Sequence, residues 1–523
     1  MMRFMEEMTD KQDWDRKVHD PVIAAKWKAE AMATPNLNMS QEMADWCLEE
    51  LKCKAVEYQQ TGAVCAVDRG IYKSDTAISP AIKEALKKGC AVLEDVPARQ
   101  KDWHPGSDGK VLDLVHPSLF PLVYGRSKIL PDETLSLVDC TTRAGEGETI
   151  PIPEEPEVPP RSLQSLADFP RSWSTKFQWL PCELRFGVDG DARVVSYINN
   201  LHPQHHAELY TTIEQVITKA IPLWDLTLTA ARDEQEWPEV PRIQYHIMLS
   251  TTEDKGPEPV QRDDEDEDDF KMRQIAWERI DRIIIQPEPP VFRTPEEVRQ
   301  ERNEGSSVKP VNAENLREEY HEKGLQVIVK LANIELTPEN SQYEGGSWHV
   351  EGQNNEHICA TAIYYYDSDN ITESLLLFRQ TTDNEVEVDY EQDDHEFLNV
   401  IFGCEQDGAA VQDIGDVVAK EGRLITFPNI YQHRVAPFRL ADGTRPGHRK
   451  ILALFLVDPT HRIISTANVP PQQRDWWAME FDNEGPLGAI PPEVREQSVT
   501  DFPISMEDAK SLRLELMEER TAL

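Results

Sequence analysis

The stretch Gly345-Gly-Ser-Trp-His349-Val-Glu351-Gly352 sets an imidazole and a carboxylate two positions apart. On an extended strand, residues i and i+2 point to one face, so both side chains can grip a single ion while Val350 turns away. A third donor, His433, follows in Phe427-Pro-Asn-Ile-Tyr-Gln-His433-Arg-Val-Ala-Pro437, directly after the apolar run Leu424-Ile-Thr-Phe427. Two histidines and one carboxylate are the donor set of a facial-triad iron site, which leaves coordination positions open for substrates and oxygen. The same donors accept Mn, Co or Zn, so the ligand set alone does not choose the metal. A lone H-x-E is most often an ordinary pair of polar residues. Gly345-Gly346, which permits close backbone approach, and the position of His433 after a strand set this one apart.

Other residues could complete such a site. Arg445, Arg449 and Lys450 precede the apolar strand Ile451-Leu-Ala-Leu-Phe-Leu-Val457, and a cation at that edge can hold the far end of a dicarboxylate, bidentately if it is arginine. Alternation points Tyr364 and Tyr366 to one face, where a hydroxyl could reach the same ligand, although aromatic strand residues more often simply pack. Trp348 and Asn354 lie close enough in sequence to touch a substrate, as do Asn355 and His357. His202, His205 and His206 have no carboxylate at matched spacing and read as a helix entry. Arg474-Asp-Trp-Trp477 reads as core packing. The sequence contains no P-loop, G-x-S-x-G elbow or dinucleotide fingerprint.

These residues need elements to position them. Lys17 to Met32, Ser40 to Tyr58 and Ala81 to Leu93 read as helices, the last with Ser79 as N-cap, Pro80 in its first turn and Gly89 as a stop. Val111 to Leu130 is apolar, but its prolines argue against a regular helix or central strand. Arg193 to Ile198 reads as a strand and Gln204 to Ala220 as an amphipathic helix. Thr294 to Lys323 reads as charged helix. From Gly324 the period becomes two, with Leu325, Val327, Val329 and Leu331 alternating with Gln326, Ile328, Lys330 and Ala332. Short strands follow at Ile358 to Tyr366, Leu375 to Arg379, Leu424 to Phe427 and Ile451 to Val457, and a helical run at Ser505 to Glu519. Several short strands without intervening helices predict an α+β protein: a jelly-roll (double-stranded β-helix) core with a helical N-terminal region.

The expected division is a mainly helical region 1–148, a proline- and glutamate-rich linker 149–161, a mixed region 162–477 ending in the metal-binding core, and a tail 478–523. A length of 523 residues exceeds what one core supports. The formal net charge of −41 argues against binding nucleic acid or anionic membranes. Within an acidic insertion at about 253–270, the run Asp263 to Asp269 reads as a solvated loop and, less often, as a surface for a protein partner. The eight scattered cysteines form no C-x-x-C pair, and no signal-peptide core or long apolar run is visible. A cytoplasmic location with free thiols is expected. The oligomeric state is not readable.

The H-x-E motif, the distal histidine and the following basic residue resemble the 2-oxoglutarate- and Fe(II)-dependent oxygenases. Gly422-Arg-Leu-Ile-Thr-Phe-Pro428, His433-Arg-Val and Gly447-His-Arg449 are similar to the prolyl-hydroxylase-like branch. Over nearly the whole chain, Pro117-Ser-Leu-Phe-Pro-Leu-Val-Tyr-Gly125, Ser196-Tyr-Ile-Asn-Asn-Leu-His-Pro203 and the Gly345–Gly352 stretch resemble a fungal family known only as a domain of unknown function. The oxygenase resemblance implies Fe(II) held by His349, Glu351 and His433, with 2-oxoglutarate as cosubstrate bound by Arg449. It also implies O2 as oxidant and hydroxylation or desaturation of a small molecule with release of succinate and CO2. Two departures stand out. Glu351 replaces the commoner Asp, and Arg449 lies sixteen residues beyond His433, farther than usual, which keeps Arg445 as a rival. The alternatives are a metal-binding jelly roll with hydrolase or isomerase chemistry, and a non-catalytic scaffold.

Overall fold

A computed structural model describes the chain except residues 36, 68–69, 155–172, 237–241, 244–249, 252–256, 263, 280–282, 285–286, 296, 299–312, 383–394, 483–502 and 522–523. Most of the predicted 149–161 linker, much of the 294–323 segment and part of the C-terminal tail therefore lie outside the described residues. The chain divides into two compact units. One comprises Met1–Ala55, Pro238–Lys309 and Arg379–Asp413; the other comprises Val56–Trp237, Pro310–Phe378 and Ile414–Leu523. Each unit draws on stretches distant in the chain, and in the larger one such stretches pair as strands of one sheet.

Helices α1 (Pro21–Ala33) and α2 (Gln41–Thr61) match their predicted spans closely. In α3 (Pro80–Glu94) the Ser79 hydroxyl accepts from the Ile82 amide as predicted, but Gly89 does not stop the helix. A Cβ there would stand 2.9 Å from Leu209 Cδ1, so this glycine instead allows a close helix–helix approach. Helix α4 (Ala207–Glu236) runs well beyond Ala220 and through Pro222. Ile217, Ile221 and Trp224 are all buried on the sheet, so packing outweighs the lost backbone bond. In the acidic run, Glu267, Asp268 and Asp269 are not loop: they form the first turn of α5 (Glu267–Arg279), where the helix dipole favours negative charge. Helix α6 (Met506–Thr521) closes the chain. Among the described residues, no helix is long and apolar enough to cross a membrane.

The larger unit is built on a nine-stranded sheet of β1 (Val64–Cys65), β2 (Tyr72–Ser74), β3 (Val111–Val115), β4 (Cys182–Phe186), β5 (Ala192–Val194), β6 (Leu325–Leu336), β7 (Ile358–Asp369), β10 (Leu424–Pro428) and β12 (Gly447–Val457). The order is β1-β2-β10-β7-β12-β6-β4-β5, with β3 also on β6, and every pair is antiparallel. A three-stranded sheet holds β8 (Leu375–Thr381) between β9 (Val411–Val418) and β11 (Gln432–Val435). The fold is thus mixed helix and sheet, with several antiparallel sheets. Strand β3 corrects the expectation of an irregular segment there; it ends two residues before Pro117, where the ladder would lose a donor.

The two faces of the large sheet have different partners. Leu325, Val327, Val329 and Leu331 join Ala360, Ala362, Tyr364, Tyr366, Leu452 and Leu454 in one core with Leu86 of α3 and Ile213, Ile217 and Trp224 of α4. The alternate residues Ile328, Ile334, Tyr365, Ile425 and Phe427 face away from those helices and are also buried. A Gly89→Val variant should lose about 1–3 kcal/mol of stability through overpacking against Leu209. Gly89→Ala should be close to neutral, because helix propensity offsets the contact. Denaturation midpoints of the two variants measure this.

Candidate metal centre

His349 and His433 face each other across an isolated antiparallel bridge. The His349 amide donates to the His433 carbonyl at 3.2 Å, and the His433 amide donates back at 2.9 Å. This two-way pairing brings the imidazoles to 4.4 Å between ring centres. Glu351, two residues along, extends Oε1 to within 3.7 Å of His349 Nε2 and 3.4 Å of His433 Nε2. The three donor atoms all lie within 4.8 Å of one another. Ligands about 2.1 Å from a metal stand roughly 3 Å apart when adjacent, so a small closing movement would suit an ion.

Each donor is held from behind. His349 Nδ1 lies 2.8 Å from the Ser347 carbonyl, which holds a proton on that nitrogen and leaves Nε2 as the atom that faces Glu351. The Asn429 side chain accepts from the Glu351 amide at 2.9 Å and donates to the Glu351 carbonyl at 2.8 Å. Gly352, at φ +68°, turns the chain immediately after Glu351. The Phe427 ring packs 4.7 Å from His433 and 5.1 Å from Phe378, forming an apolar wall. The His433 side chain is 4% exposed and that of Glu351 12%, whereas that of His349 is 47% exposed, so the cluster opens on the His349 side.

Burial would raise the pKa of Glu351, but the two imidazoles hold its carboxyl well below the usual range. Burial opposes a charge on His349, yet the Glu351 carboxylate outweighs it and raises that imidazole's pKa. Burial and the neighbouring His349 lower that of His433, with Glu351 opposing.

The three cations expected at the β12 edge have separate fates. Arg445 forms a surface pair with Asp369 at 2.7 Å, and Lys450 reaches Glu94 at 2.9 Å and Asp367 at 3.4 Å. Both thus have carboxylate partners of their own. Arg449 is 2% exposed and has no carboxylate partner among the described residues. Its Nη1 donates to Ser374 Oγ at 2.7 Å, and its guanidinium lies 5.3 Å from the Tyr365 ring centre and 5.5 Å from that of Phe438. Its Nε has no acceptor.

Tyr364 and Tyr366 do not face this region; they pack in the core with α3 and α4. Alternation presents Tyr365 to Arg449 instead; the spacing puts Tyr364 and Tyr366 on one face but does not say which face that is. Trp348 lies under the Arg434 guanidinium at 4.6 Å. Asn354 sits on a single 3-10 turn, Asn354–Glu356. It lines a cavity of about 440 Å³ with Leu228, Leu316, Asn429 and Ile430, which includes none of the three cluster residues. Asn429 and Ser374 also went unnoticed, since neither type nor spacing marks them. The His202 and His205 rings stack 3.9 Å apart, with Trp476 packed 4.8 Å from His202. A second group with metal-type donors, His104, Asp113 and His116, was not foreseen. In it His104 Nδ1 lies 2.8 Å from Asp113 Oδ2, and Arg513 Nη1 approaches the same oxygen at 3.4 Å.

A family model described as "Protein of unknown function (DUF4246)" matches residues 41–480, and one described as "Domain of unknown function DUF4246, N-terminal" matches residues 1–30. No curated protein matches the chain. Among solved structures, a selenomethionine-labelled Fe(II)/α-ketoglutarate-dependent dioxygenase, TqaL, is similar at 14% identity and a TM-score of 0.16, over 25% of this chain and 42% of that one. Procruciferin, an 11S globulin from Brassica napus, is similar at 11% identity and a TM-score of 0.13, over 47% of this chain and 51% of that one. The chain spans about half or less of either structure, and likenesses at these scores carry no argument.

His349→Ala and His433→Ala should each abolish stoichiometric uptake of Fe(II) or Co(II), measured by elemental analysis after loading and desalting. Unchanged metal content in both variants would dismiss the cluster as a metal centre.

Proposed function

The chain belongs to the DUF4246 family of proteins of unknown function, and we propose that it is an Fe(II)- and 2-oxoglutarate-dependent oxygenase that hydroxylates or desaturates a small molecule, with release of succinate and CO2. The observation that carries this reading is Arg449. A buried guanidinium without a counter-ion is costly, and a ligand carboxylate relieves that cost. Arg449 and Tyr365 share the sheet face that also presents Phe427, whose ring packs on His433. A dicarboxylate reaching from the metal donors to a buried arginine fits that arrangement. The large antiparallel sheet and the smaller three-stranded one support the reading of a double-stranded β-helix core.

The donor set fits a divalent metal: two Nε2 atoms and a carboxylate oxygen converge, and among the described residues no lysine or arginine competes for Glu351. An iron ion bound there would supply the oxygen chemistry that no side chain of this protein provides. The chain's own work is to bind, orient and exclude water. His349, Glu351 and His433 would hold the ion, and Asn429 fixes the Glu351 backbone. Arg449 and the Ser374 hydroxyl would take the distal carboxylate of 2-oxoglutarate. Phe427 and Phe378 wall off His433, and the exposed edge of His349 leaves an approach for the primary substrate.

Anaerobically purified, Fe(II)-loaded protein should bind 2-oxoglutarate and release succinate slowly when O2 is admitted. The Arg449→Leu variant should keep its metal but bind 2-oxoglutarate roughly 10- to 100-fold more weakly, as expected for a lost charged hydrogen-bonding partner. Calorimetric titration of both proteins checks this. Metal uptake without any 2-oxoglutarate binding by the unaltered protein would point to hydrolase or isomerase chemistry instead.

A further inference from the structure

The loop that carries Glu351 is anchored at its far end by a second, fully buried carboxylate. Glu356 is 0% exposed, and its two oxygens have distinct tasks. Oε2 accepts the backbone amide of Gln353, two residues beyond Glu351. Oε1 accepts the Trp179 amide at 2.8 Å and Arg520 Nη2 at 2.6 Å. Arg520 stands in the last turn of α6, and its guanidinium lies 4.0 Å from the Trp179 ring centre. It is the cationic partner that Glu356 has among the described residues. The Asn355 side chain meanwhile donates to the Phe177 carbonyl at 2.9 Å, fixing the same turn to the strand beneath it. The segment Glu351–Glu356 is therefore clamped at Glu351 by Asn429 and at Gln353 by a carboxylate that the C-terminal helix holds in place through Arg520.

We infer that Arg520 is a positioning residue for the metal centre: by neutralising Glu356 it fixes the Gln353 turn and, through it, the direction of the Glu351 carboxylate. This rests on the reading of His349, Glu351 and His433 as metal ligands. The rest of α6 is attached independently. Arg513 reaches Asp102 at 2.7 Å and Lys510 reaches Asp102 at 3.1 Å, so the helix stays docked when Arg520 is altered. Loss of Arg520 leaves Glu356 as an uncompensated buried carboxylate. That favours its displacement toward solvent and frees the turn. Metal ligands depend on such outer partners to the extent of roughly 10- to 100-fold in affinity.

The test is Co(II) titration of the full chain, followed by the visible absorption of the bound ion. Arg520→Ala should raise the Co(II) Kd roughly 10- to 100-fold and alter the band shape, because the coordination geometry loosens. Arg520→Lys keeps the charge and should recover part of both. Lys510→Ala, on the same helix but paired with Asp102 rather than Glu356, should match the unaltered chain. A wild-type Kd and spectrum in Arg520→Ala would overturn the inference, as would equal weakening by Lys510→Ala, which would mean that helix docking alone matters. If the unaltered chain takes up no Co(II), the metal-centre reading itself fails, and this inference with it.

Discussion

Glu351 has to be neutralised locally, because it is a buried carboxylate in a chain whose formal charge is already −41. Two imidazoles do this, and only because the segments carrying His349 and His433 exchange backbone hydrogen bonds directly opposite each other. That single bridge determines much around it. It requires β11 to lie beside the 345–352 stretch, with Gly346 donating to the Val435 carbonyl on the way. It also places Asn429, at the end of β10, within reach of both the amide and the carbonyl of Glu351. The two imidazoles are not equivalent. The deeper ring, His433, is pushed toward neutrality by burial and by its neighbour, whereas the carboxylate favours a proton on His349. A metal ion would displace that proton, as binding to imidazole generally requires.

The second constraint is alternation along β7 and β12. With one face of the sheet taken by α3 and α4, every odd step in the tyrosine run decides between core and site. Tyr364 and Tyr366 fall to the helices, and Tyr365 falls to Arg449. The register of β7 on β12 shifts between Tyr365 and Asp367. Beyond that irregularity Lys450 meets Asp367 and Glu94, while Arg449 stays inside without an anion. Two adjacent cations thus have opposite fates because they sit on opposite sides of one strand.

Much of this was legible in the sequence. The period-two run from Leu325, the strands after Ile358 and Leu424, the cap at Ser79 and the two-residue spacing of His349 and Glu351 are local patterns, and local patterns survive folding. What was not legible depends on partners distant in the chain. Gly89 reads as a helix stop until Leu209 is packed against it. Pro222 reads as a break until Trp224 and its neighbours are buried on the sheet. The choice among Arg445, Arg449 and Lys450 turns on Asp369, Asp367 and Glu94, whose positions no spacing rule gives. The resemblance pointed to Arg449, and what sets it apart from the other two is that it has no carboxylate partner among the described residues.

The second His–Asp–His group shows why donor types within reach of one another are not sufficient for a metal centre. His116 Nδ1 accepts from the Ser118 amide at 3.2 Å, so a neutral ring carries its proton on Nε2 and presents a donor where a metal needs a lone pair. Burial lowers its pKa to about 3, with Asp113 opposing, so that neutral form is the relevant one. The Asp113 carboxylate is already engaged by His104 and approached by Arg513, a cation supplied by the chain itself. At His349 the tautomer is reversed. Its Nδ1 is tied to the Ser347 carbonyl, its Nε2 faces Glu351, and among the described residues the carboxylate has imidazoles and no lysine or arginine beside it. Electrostatic demand, rather than donor count, therefore separates the two groups. One has a fixed cation built in, and in the other, under the proposed reading, a bound ion would supply it.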